Sequence, residues 1–257
     1  AAAAGPAGSA IVSVVVNPTT NRVYAANYYA NNVSVIDGAT NTVMTTVPVG
    51  DSPDALAVNP TTNRVYVANL GSHNVSVIDG VTNTVVATVP VGTNPSAVAV
   101  NATTNRVYVA NRNLNSVSVI DGSINGVTAV VAVGSTPYAV GVNPTTNRVY
   151  VANQGSSNVS VIYGVTNGVM GTVPVGSTPS AVGVNPTTNR VYAANQGSNN
   201  VSVIDGVTNA VVGTVPVGTY PSAVAVNPTT NRVYAANQGS SNVSVIDGTT
   251  DAVAAVV

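Results

Sequence analysis

The chain contains no cysteine, lysine, glutamate, phenylalanine or tryptophan, and it has one histidine in 257 residues. Its charged side chains are 7 arginines and 8 aspartates, which leave a formal net charge of −1. Without a basic excess the chain lacks the electrostatic footprint of a nucleic-acid-binding protein. The absence of cysteine excludes disulfides and thiol catalysis, and one histidine cannot supply the usual ligands of a transition-metal site. We therefore expect no nucleic-acid partner, no metal and no cofactor.

Long hydrophobic runs are missing as well. No apolar segment approaches the roughly 20 residues that cross a bilayer, so we expect no membrane insertion. Only 6% of the residues are charged, against about 25% in ordinary globular domains. Valine, alanine, threonine, serine and asparagine take their place, which favours a β-rich protein located outside the cell or at its surface.

A 42-residue repeat organises what is present. The segment Asn17-Pro-Thr-Thr-Asn-Arg-Val-Tyr24 recurs, with Ala102 as its one substitution, and its first asparagine lies at positions 17, 59, 101, 143, 185 and 227. Six periods account for nearly the whole chain. We expect one domain over residues 9–257, preceded by an arm or lead-in segment at residues 1–8 that could pair with a sheet edge of another copy.

Each period predicts four short strands. In the fifth, the predicted strands are residues 180–184, 190–194, 201–204 and 210–215, separated by clusters of Gly, Pro, Asn and Asp. Four strands in about 40 to 45 residues are typical of a propeller blade. Proline ends the fourth strand at positions 48, 90, 174 and 216, which suits an edge strand because proline cannot donate to the ladder. The sequence predicts an all-β, six-bladed β-propeller with four antiparallel strands per repeat.

The repeats also carry recognisable motifs. Tyr66-Val-Ala-Asn69, Tyr108-Val-Ala-Asn111 and Tyr150-Val-Ala-Asn153 are each followed by Val-Ser-Val-Ile-Asp-Gly or a close variant, and then by Val-Gly-x-x-Pro. This order resembles the YVTN-type β-propeller repeats of archaeal and bacterial surface-layer and other secreted proteins. Alanine stands where that family has threonine, and there are six repeats where seven blades are more usual. The resemblance implies a secreted or surface-layer propeller.

Two sets of repeated side chains suggest structural roles. An aspartate recurs between the third and fourth strands at positions 37, 79, 121, 205 and 247, with Tyr163 in the fourth repeat. An Asx-turn before glycine explains this pattern better than a local calcium site. The arginine that precedes Val-Tyr in every repeat is expected to bond turn carbonyls or those aspartates. Asparagine sequons provide candidate glycan acceptors, or simply end turns, at Asn32, Asn74, Asn101, Asn158, Asn200 and Asn242.

The copies differ from one another at two connections. The loop between the second and third strands varies, and so does the segment between successive blades, whereas the other two connections are almost constant. Because strands alternate in direction, the two variable connections should emerge on one face. Loops on a rigid scaffold commonly carry binding chemistry. The candidate binding residues are Tyr28, Tyr29, Asp51, Asp54, Leu70, His73, Arg112, Leu114, Tyr138 and Tyr220.

These patterns favour a non-enzymatic structural or binding protein. We expect a rigid propeller that contacts other surface proteins, glycans or copies of itself, with no catalytic residues. One alternative is a self-assembling filament or sheet subunit, because near-zero net charge promotes association. The other is a propeller enzyme of the lyase or lactonase type that acts on the variable face around His73, Asp51 and Asp54. A catalytic triad built on His73 would need geometry from separate segments, which the sequence does not provide.

Overall fold

A computed structural model describes residues 10–257 as six sheets of four antiparallel strands. The chain divides into two compact units, Ala1–Val130 and Val131–Val257. The strands of the first unit, whose last strand crosses the boundary, are β1 Ile11–Asn17, β2 Arg22–Asn27, β3 Asn32–Asp37, β4 Thr42–Pro48, β5 Pro53–Asn59, β6 Arg64–Asn69, β7 Asn74–Asp79, β8 Thr84–Pro90, β9 Pro95–Asn101, β10 Arg106–Asn111, β11 Ser116–Asp121 and β12 Gly126–Ala132.

The second unit repeats the pattern. Its strands are β13 Pro137–Asn143, β14 Arg148–Asn153, β15 Asn158–Tyr163, β16 Gly168–Pro174, β17 Pro179–Asn185, β18 Arg190–Asn195, β19 Asn200–Asp205, β20 Ala210–Pro216, β21 Pro221–Asn227, β22 Arg232–Asn237, β23 Asn242–Asp247 and β24 Ala252–Val256. The all-β prediction is confirmed, and six such sheets are consistent with a six-bladed propeller. A one-turn 3-10 helix at Arg112–Leu114 interrupts the β10–β11 loop. The proposed arm at residues 1–8 lies outside the described residues.

Sheet order follows chain order, and every pairing is between neighbours in sequence. The predicted strands of the fifth repeat agree with β17 to β20 to within one residue at every end. The fourth strand lies at a sheet edge, where Pro48 pairs with Asn32, as the proline pattern predicts. The first strands of successive sheets lie against one another within each unit, β1 on β5 and β9 on β5 in the first, β13 on β17 and β17 on β21 in the second.

The core consists of interleaved side chains from successive sheets. In the first unit, Tyr24, Val33 and Val35 of one sheet pack against Val65 and Ile78 of the next. In the second unit, the same positions of the repeats form the same cluster. Tyrosine is the largest buried side chain in five of the six repeats, and burial raises the pKa of Tyr192 to about 12. Its phenol therefore stays protonated at neutral pH.

The strand asparagines form a buried polar ladder beside this core. The side-chain amide of Asn69 donates to Asn74 Oδ1 at 2.7 Å and to Ser76 Oγ at 2.9 Å. The other repeats place an asparagine and a serine in the same way. A buried amide is tolerated because these bonds satisfy its donors. The ladder fixes the end of the second strand against the third.

Candidate functional site

The candidate residues lie at or next to one end of each sheet, which we call the loop end. It carries the hairpin loops between second and third strands and the connections between successive sheets. The hairpin loops are residues 28–31, 70–73, 112–115, 154–157, 196–199 and 238–241, and the connections are residues 49–52, 91–94, 133–136, 175–178 and 217–220. The opposite end, which we call the turn end, carries the nearly constant turns. The candidate binding residues lie at or next to the loop end.

Hydrogen bonds lock each connection between two hairpin loops in the first unit. The backbone N–H of Ser52 donates to Asn31 Oδ1 at 2.9 Å, in the preceding hairpin loop. The N–H of Asp51 donates to Ser72 Oγ at 2.6 Å, and the N–H of Leu70 donates to the Ser52 carbonyl at 2.9 Å, in the following one. The variable segments therefore form a continuous network rather than independent loops.

The second unit repeats this network. The N–H of Tyr220 donates to Asn199 Oδ1 at 2.9 Å, and its carbonyl accepts from Gln238 N–H at 3.0 Å. The Tyr220 side chain contributes nothing to these bonds and is 58% exposed. Its backbone is thus fixed while its ring is presented to solvent.

His73 takes the place of an asparagine in this network. Its Nδ1 lies 3.3 Å from the N–H of Asn94 and 2.9 Å from the carbonyl of Leu70. Asn31 and Asn199 accept the corresponding backbone bond in their own repeats. Nδ1 donates to the Leu70 carbonyl in one tautomer and accepts from the Asn94 N–H in the other. In either case His73 supports the loop network through Nδ1.

More residue types adopt the left-handed backbone conformation at the loop end than at the turn end. The left-handed backbone positions of the turn end are asparagines, with Asp251 as the exception, and asparagine tolerates that region well. At the loop end, a positive φ is also adopted by Ser52, His73, Thr136, Ser157, Thr178, Tyr220 and Ser241. A β-branched threonine or a tyrosine in this region is strained, and such strain persists where the surroundings impose it. At these positions the loop end therefore carries residues other than asparagine, which would suit the backbone conformation best.

Asp54 is a titratable candidate residue that lies inside a strand. The structure places it in β5 and Tyr138 in β13, the second residue of each strand, which corrects their prediction as parts of the connections. Pro53 and Pro137 begin those strands, because a first residue need not donate to the ladder. The first strand therefore carries a carboxyl group, although its sequence pattern predicts only small apolar side chains.

Burial raises the pKa of the Asp54 carboxyl, and the positive charge of Arg112 lowers it by a smaller amount. Repeats three, five and six carry Ser96, Ser180 and Ser222 at this position. The half-buried carboxyl and the guanidinium of the 3-10 helix therefore interact electrostatically near the loop end, and the repeat copies neither residue. A comparison of repeat positions identifies Asp54, but its burial is visible only in the structure.

The aromatic candidates are presented to different degrees. Tyr28 and Tyr29 contact each other edge to face, with ring centroids 5.1 Å apart, and Tyr29 is 72% exposed. Leu114 is 55% exposed on the 3-10 helix, and Tyr138 is 36% exposed. Asp51 is exposed and Leu70 is half-buried. The first repeat thus presents the aromatic pair Tyr28 and Tyr29. The second and third repeats present Asp54, Arg112 and the exposed Leu114.

The turn end has the structural role predicted for it. In the first repeat, Asp37 Oδ1 accepts from the backbone N–H groups of Ala39 and Thr40, at 2.8 and 2.9 Å. These bonds hold the pKa of the Asp37 carboxyl below its usual value. Arg22 donates to the carbonyl of Gly80 in the next sheet, and Arg64 pairs with Asp79 at 3.2 Å. Among residues 10–257, no cluster of three or more His, Cys, Asp or Glu side chains is placed to hold a metal ion.

The sequon asparagines are mostly part of the polar ladder. Asn32 accepts from Asn27 through Oδ1 and donates from Nδ2 to the Ala30 carbonyl at 3.1 Å. Asn74, Asn158, Asn200 and Asn242 accept the same ladder bond. Asn101 is fully buried, so its interpretation as a surface acceptor is wrong, because a folded chain leaves no room there for a glycan.

Comparison with known proteins supports a β-propeller repeat protein. The family model described as lactonase, 7-bladed beta-propeller, matches residues 80–169 and 165–252. No curated protein matches the chain. In the part of the chain that the structure describes, no helix is long and apolar enough to span a membrane.

Two solved structures share the fold. Hydrazine synthase from Kuenenia stuttgartiensis gives a TM-score of 0.64 at 19% identity, with 95% of this chain and 97% of that chain covered. A functionally unknown protein from Desulfotomaculum acetoxidans DSM 771 gives a TM-score of 0.82 at 14% identity, with 97% and 86% covered. At these identities the likeness concerns the fold alone.

The family match favours the enzymatic alternative over the expectation of a non-enzymatic protein. It confirms the coarser part of the YVTN resemblance, a β-propeller repeat protein, and does not support the YVTN or surface-layer type. The two matched segments together span more than half of the 257 residues. The chain belongs to the lactonase, seven-bladed β-propeller family.

Proposed function

We propose that the protein is a secreted or cell-surface binding propeller, of the YVTN surface-layer type, whose loop end contacts glycans or other surface proteins. One observation carries the proposal: most of the aromatic and charged residues that depart from the repeat lie at or next to the loop end, where hydrogen bonds hold the loops in place. A fixed backbone lowers the conformational entropy lost on binding. Exposed tyrosine and arginine are the side chains most often found at binding hot spots.

The experiment that tests this proposal is a binding assay with loop-end variants. The probe is an array of purified bacterial and archaeal cell-wall polysaccharides, incubated with the intact chain. Alanine at Tyr28, Tyr29 and Arg112 together should weaken binding at least about 30-fold, as expected when hot-spot side chains are truncated. Tyr163→Ala removes a tyrosine that is 36% exposed at the turn end and is the matched control. Absence of binding by the unaltered chain, or equal binding by the triple variant, would refute the proposal.

A second candidate function is lactone hydrolysis, which the family match favours. Asp54 is the group suited to act as general base, because a carboxylate with a raised pKa is a stronger base. It would take a proton from water while the water oxygen bonds to the lactone carbonyl carbon. The ring C–O bond then breaks, the alkoxide recovers the proton, and a hydroxy acid is released. Arg112 is placed near Asp54 to stabilise the negative charge that develops on the carbonyl oxygen.

Acid release from a panel of γ- and δ-lactones tests this candidate. Asp54→Asn should lower the rate by a factor of about 100 or more, which is the scale of general-base catalysis. Asp37→Asn removes a carboxylate from the turn end, at the opposite end of the sheets, and should leave the rate unchanged. No hydrolysis by the unaltered chain, or equal rates for Asp54→Asn, would eliminate the enzymatic candidate and leave the binding proposal standing.

A further inference from the structure

The turn between the third and fourth strands ends on an asparagine in five repeats and on Asp251 in the sixth. All six residues adopt the left-handed backbone conformation. The residue that follows is glycine only after Asn125 and Asn167, and these are the two Asn-Gly pairs of the sequence. Glycine has no Cβ to keep its backbone nitrogen away from the preceding side-chain amide. These two repeats therefore combine a thermolabile side chain with the neighbour that shields it least.

The side-chain amide of Asn125 is held less firmly than its equivalent in the second repeat. Arg22 of the first sheet reaches the turn of the next sheet, where its Nη1 donates to Asn83 Oδ1 at 3.3 Å. Arg64, the equivalent arginine of the second sheet, pairs instead with Asp79 of its own sheet at 3.2 Å. Asn125 Oδ1 is buried and has no hydrogen-bond partner among residues 10–257. The arginine bond that restrains Asn83 is therefore missing at Asn125.

The two Asn-Gly pairs also differ in what faces the glycine nitrogen. In the fourth repeat, the N–H of Gly168 donates to Thr166 Oγ1 at 3.2 Å. Ile124 stands at the position of Thr166 in the third repeat, and its side chain offers no acceptor to Gly126. β12 begins at Gly126 and is the edge strand of its sheet, where local opening costs least. The nitrogen of Gly126 therefore lacks the hydroxyl that restrains the nitrogen of Gly168.

The sixth repeat shows that this turn accepts an aspartate. Asp251 has a φ of 51°, and its backbone N–H donates to the Asp247 carbonyl at 2.9 Å. Asn209 of the fifth repeat has a φ of 54° and donates to the Asp205 carbonyl at 2.8 Å. The same turn therefore forms with a side-chain amide or a carboxyl at its last position, and conversion of Asn125 to aspartate is compatible with the fold.

We propose that Asn125 is a site of spontaneous deamidation, and that Asn167 reacts more slowly because Thr166 holds the nitrogen of Gly168. The turn first opens locally, so that the Gly126 nitrogen can face Cγ of Asn125. That nitrogen loses its proton and bonds to Cγ, the Cγ–Nδ2 bond breaks, and ammonia leaves with the proton. Water then adds to one of the two carbonyl carbons of the resulting succinimide and breaks its bond to nitrogen. The product is aspartate or isoaspartate at position 125.

Mass-spectrometric peptide mapping of the intact chain during incubation at mildly alkaline pH tests this proposal. Each conversion replaces NH2 by OH and raises the mass of its peptide by about one dalton. Asn125 should react about 3- to 10-fold faster than Asn167, the factor that corresponds to one net hydrogen bond. Asn83 and Asn209, which precede threonine and alanine, should stay unconverted when half of Asn125 has reacted. In concentrated urea the rates of Asn125 and Asn167 should become equal, because the bond from Gly168 to Thr166 is lost.

Gly126→Ala is the variant that should block the reaction in the folded chain. A Cβ at Gly126 would lie 3.5 Å from Ile124 Cδ1, which is an ordinary contact, and the fifth repeat carries Ala210 at this position. The fold therefore accepts the alanine, and far-UV circular dichroism checks that it does. Conversion of Asn125 should fall at least about 10-fold, because the methyl group hinders the approach of the nitrogen.

Exchange of the two turn residues separates the hydroxyl from other differences between the repeats. Ile124→Thr supplies a hydroxyl to Gly126 and should slow the conversion of Asn125, whereas Thr166→Val removes one from Gly168 and should speed the conversion of Asn167. The proposal is overturned if Asn125 stays unconverted, if Asn125 and Asn167 react equally fast in the folded chain, or if Gly126→Ala leaves the rate unchanged. Unchanged rates in both exchange variants would refute the role of Thr166.

Discussion

At the scale of single residues, position in the repeat decides what an aspartate does. Five turn-end aspartates accept backbone N–H bonds, which lower the pKa of each carboxyl. Asp54 has no such bonds, and its burial raises the pKa instead. The first set contributes stability that is present above the unfolded pKa of about 4 and is lost as the pH falls. Ionised Asp54 has the opposite effect, because folding favours its protonated form.

Asp54→Ser, which restores the residue of three other repeats, should therefore stabilise the chain at neutral pH. The reason is that the unaltered protein loses stability as the pH rises through the raised pKa of Asp54. Thermal unfolding followed by circular dichroism should show an advantage for the variant that grows between pH 3 and pH 7. A constant difference across that range would mean that charge is not the cause.

Asp205→Asn is the control, because its effect on stability should have the opposite sign at neutral pH. It keeps an oxygen acceptor for the N–H groups of Val207 and Thr208 but removes the charge. The variant should be less stable than the unaltered chain at pH 7, and the two should converge as the pH falls below about 4. A variant that is equally stable at all pH values would contradict the assignment of the lowered pKa.

Residue roles were predictable where the repeat copies them. The Asx-turns follow from Asp before Gly at a fixed phase, and the structure confirms them. The roles of unrepeated residues were not predictable in the same way. His73 substitutes for an asparagine acceptor only because the hairpin loop brings its Nδ1 to Asn94, and Asn101 is buried although its sequon resembles a surface signal.

At the scale of elements, strand boundaries were predictable because Gly, Pro, Asn and Asp mark the turns so regularly. The burial of a whole sheet face was not predictable, because equivalent residues occupy the same face in every repeat. Ile78 of β7 is fully buried, whereas its equivalent Ile36 of β3 is only half-buried. The difference comes from packing between sheets, because side chains of the β1–β4 sheet cover Ile78.

Matched alanine variants should measure this difference. Ile78→Ala should lower the free energy of unfolding by about 2 to 5 kcal/mol, the usual cost of emptying a packed site. Ile36→Ala should cost less than half as much, because less apolar surface is lost from the core. Urea denaturation of both variants gives the comparison. Equal costs would contradict the difference in burial between Ile36 and Ile78.

The loop end shows how far an element-level argument reaches. Alternating strand directions are enough to predict that both variable connections lie at one end of the sheets. They do not reveal the hydrogen bonds that join Asp51 and Ser52 to the neighbouring hairpin loops. Nor do they place Asp54 inside a strand, because a proline next to it reads as a turn signal in the sequence.

At the scale of the whole molecule, the chain forms six four-stranded sheets from one repeat sequence, and the family model that it matches is described as seven-bladed. The repeated positions account for the core, the ladder and the turns. The remaining chemistry is concentrated at the loop end, where both the binding proposal and the lactone-hydrolysis candidate are located. Both functions therefore depend on the residues that the repeat does not copy.

Replacement of the unrepeated loop residues tests this central claim most directly. A variant in which hairpin loops 28–31, 70–73 and 112–115 carry the Gln-Gly-Ser-Ser sequence of residues 154–157, with Asp54→Ser, keeps every repeated position. Its binding to the polysaccharide array and its lactone hydrolysis are measured together with its melting temperature. The account predicts that the variant still unfolds cooperatively and that it loses whichever activity the unaltered chain has. Full retention of that activity would contradict it.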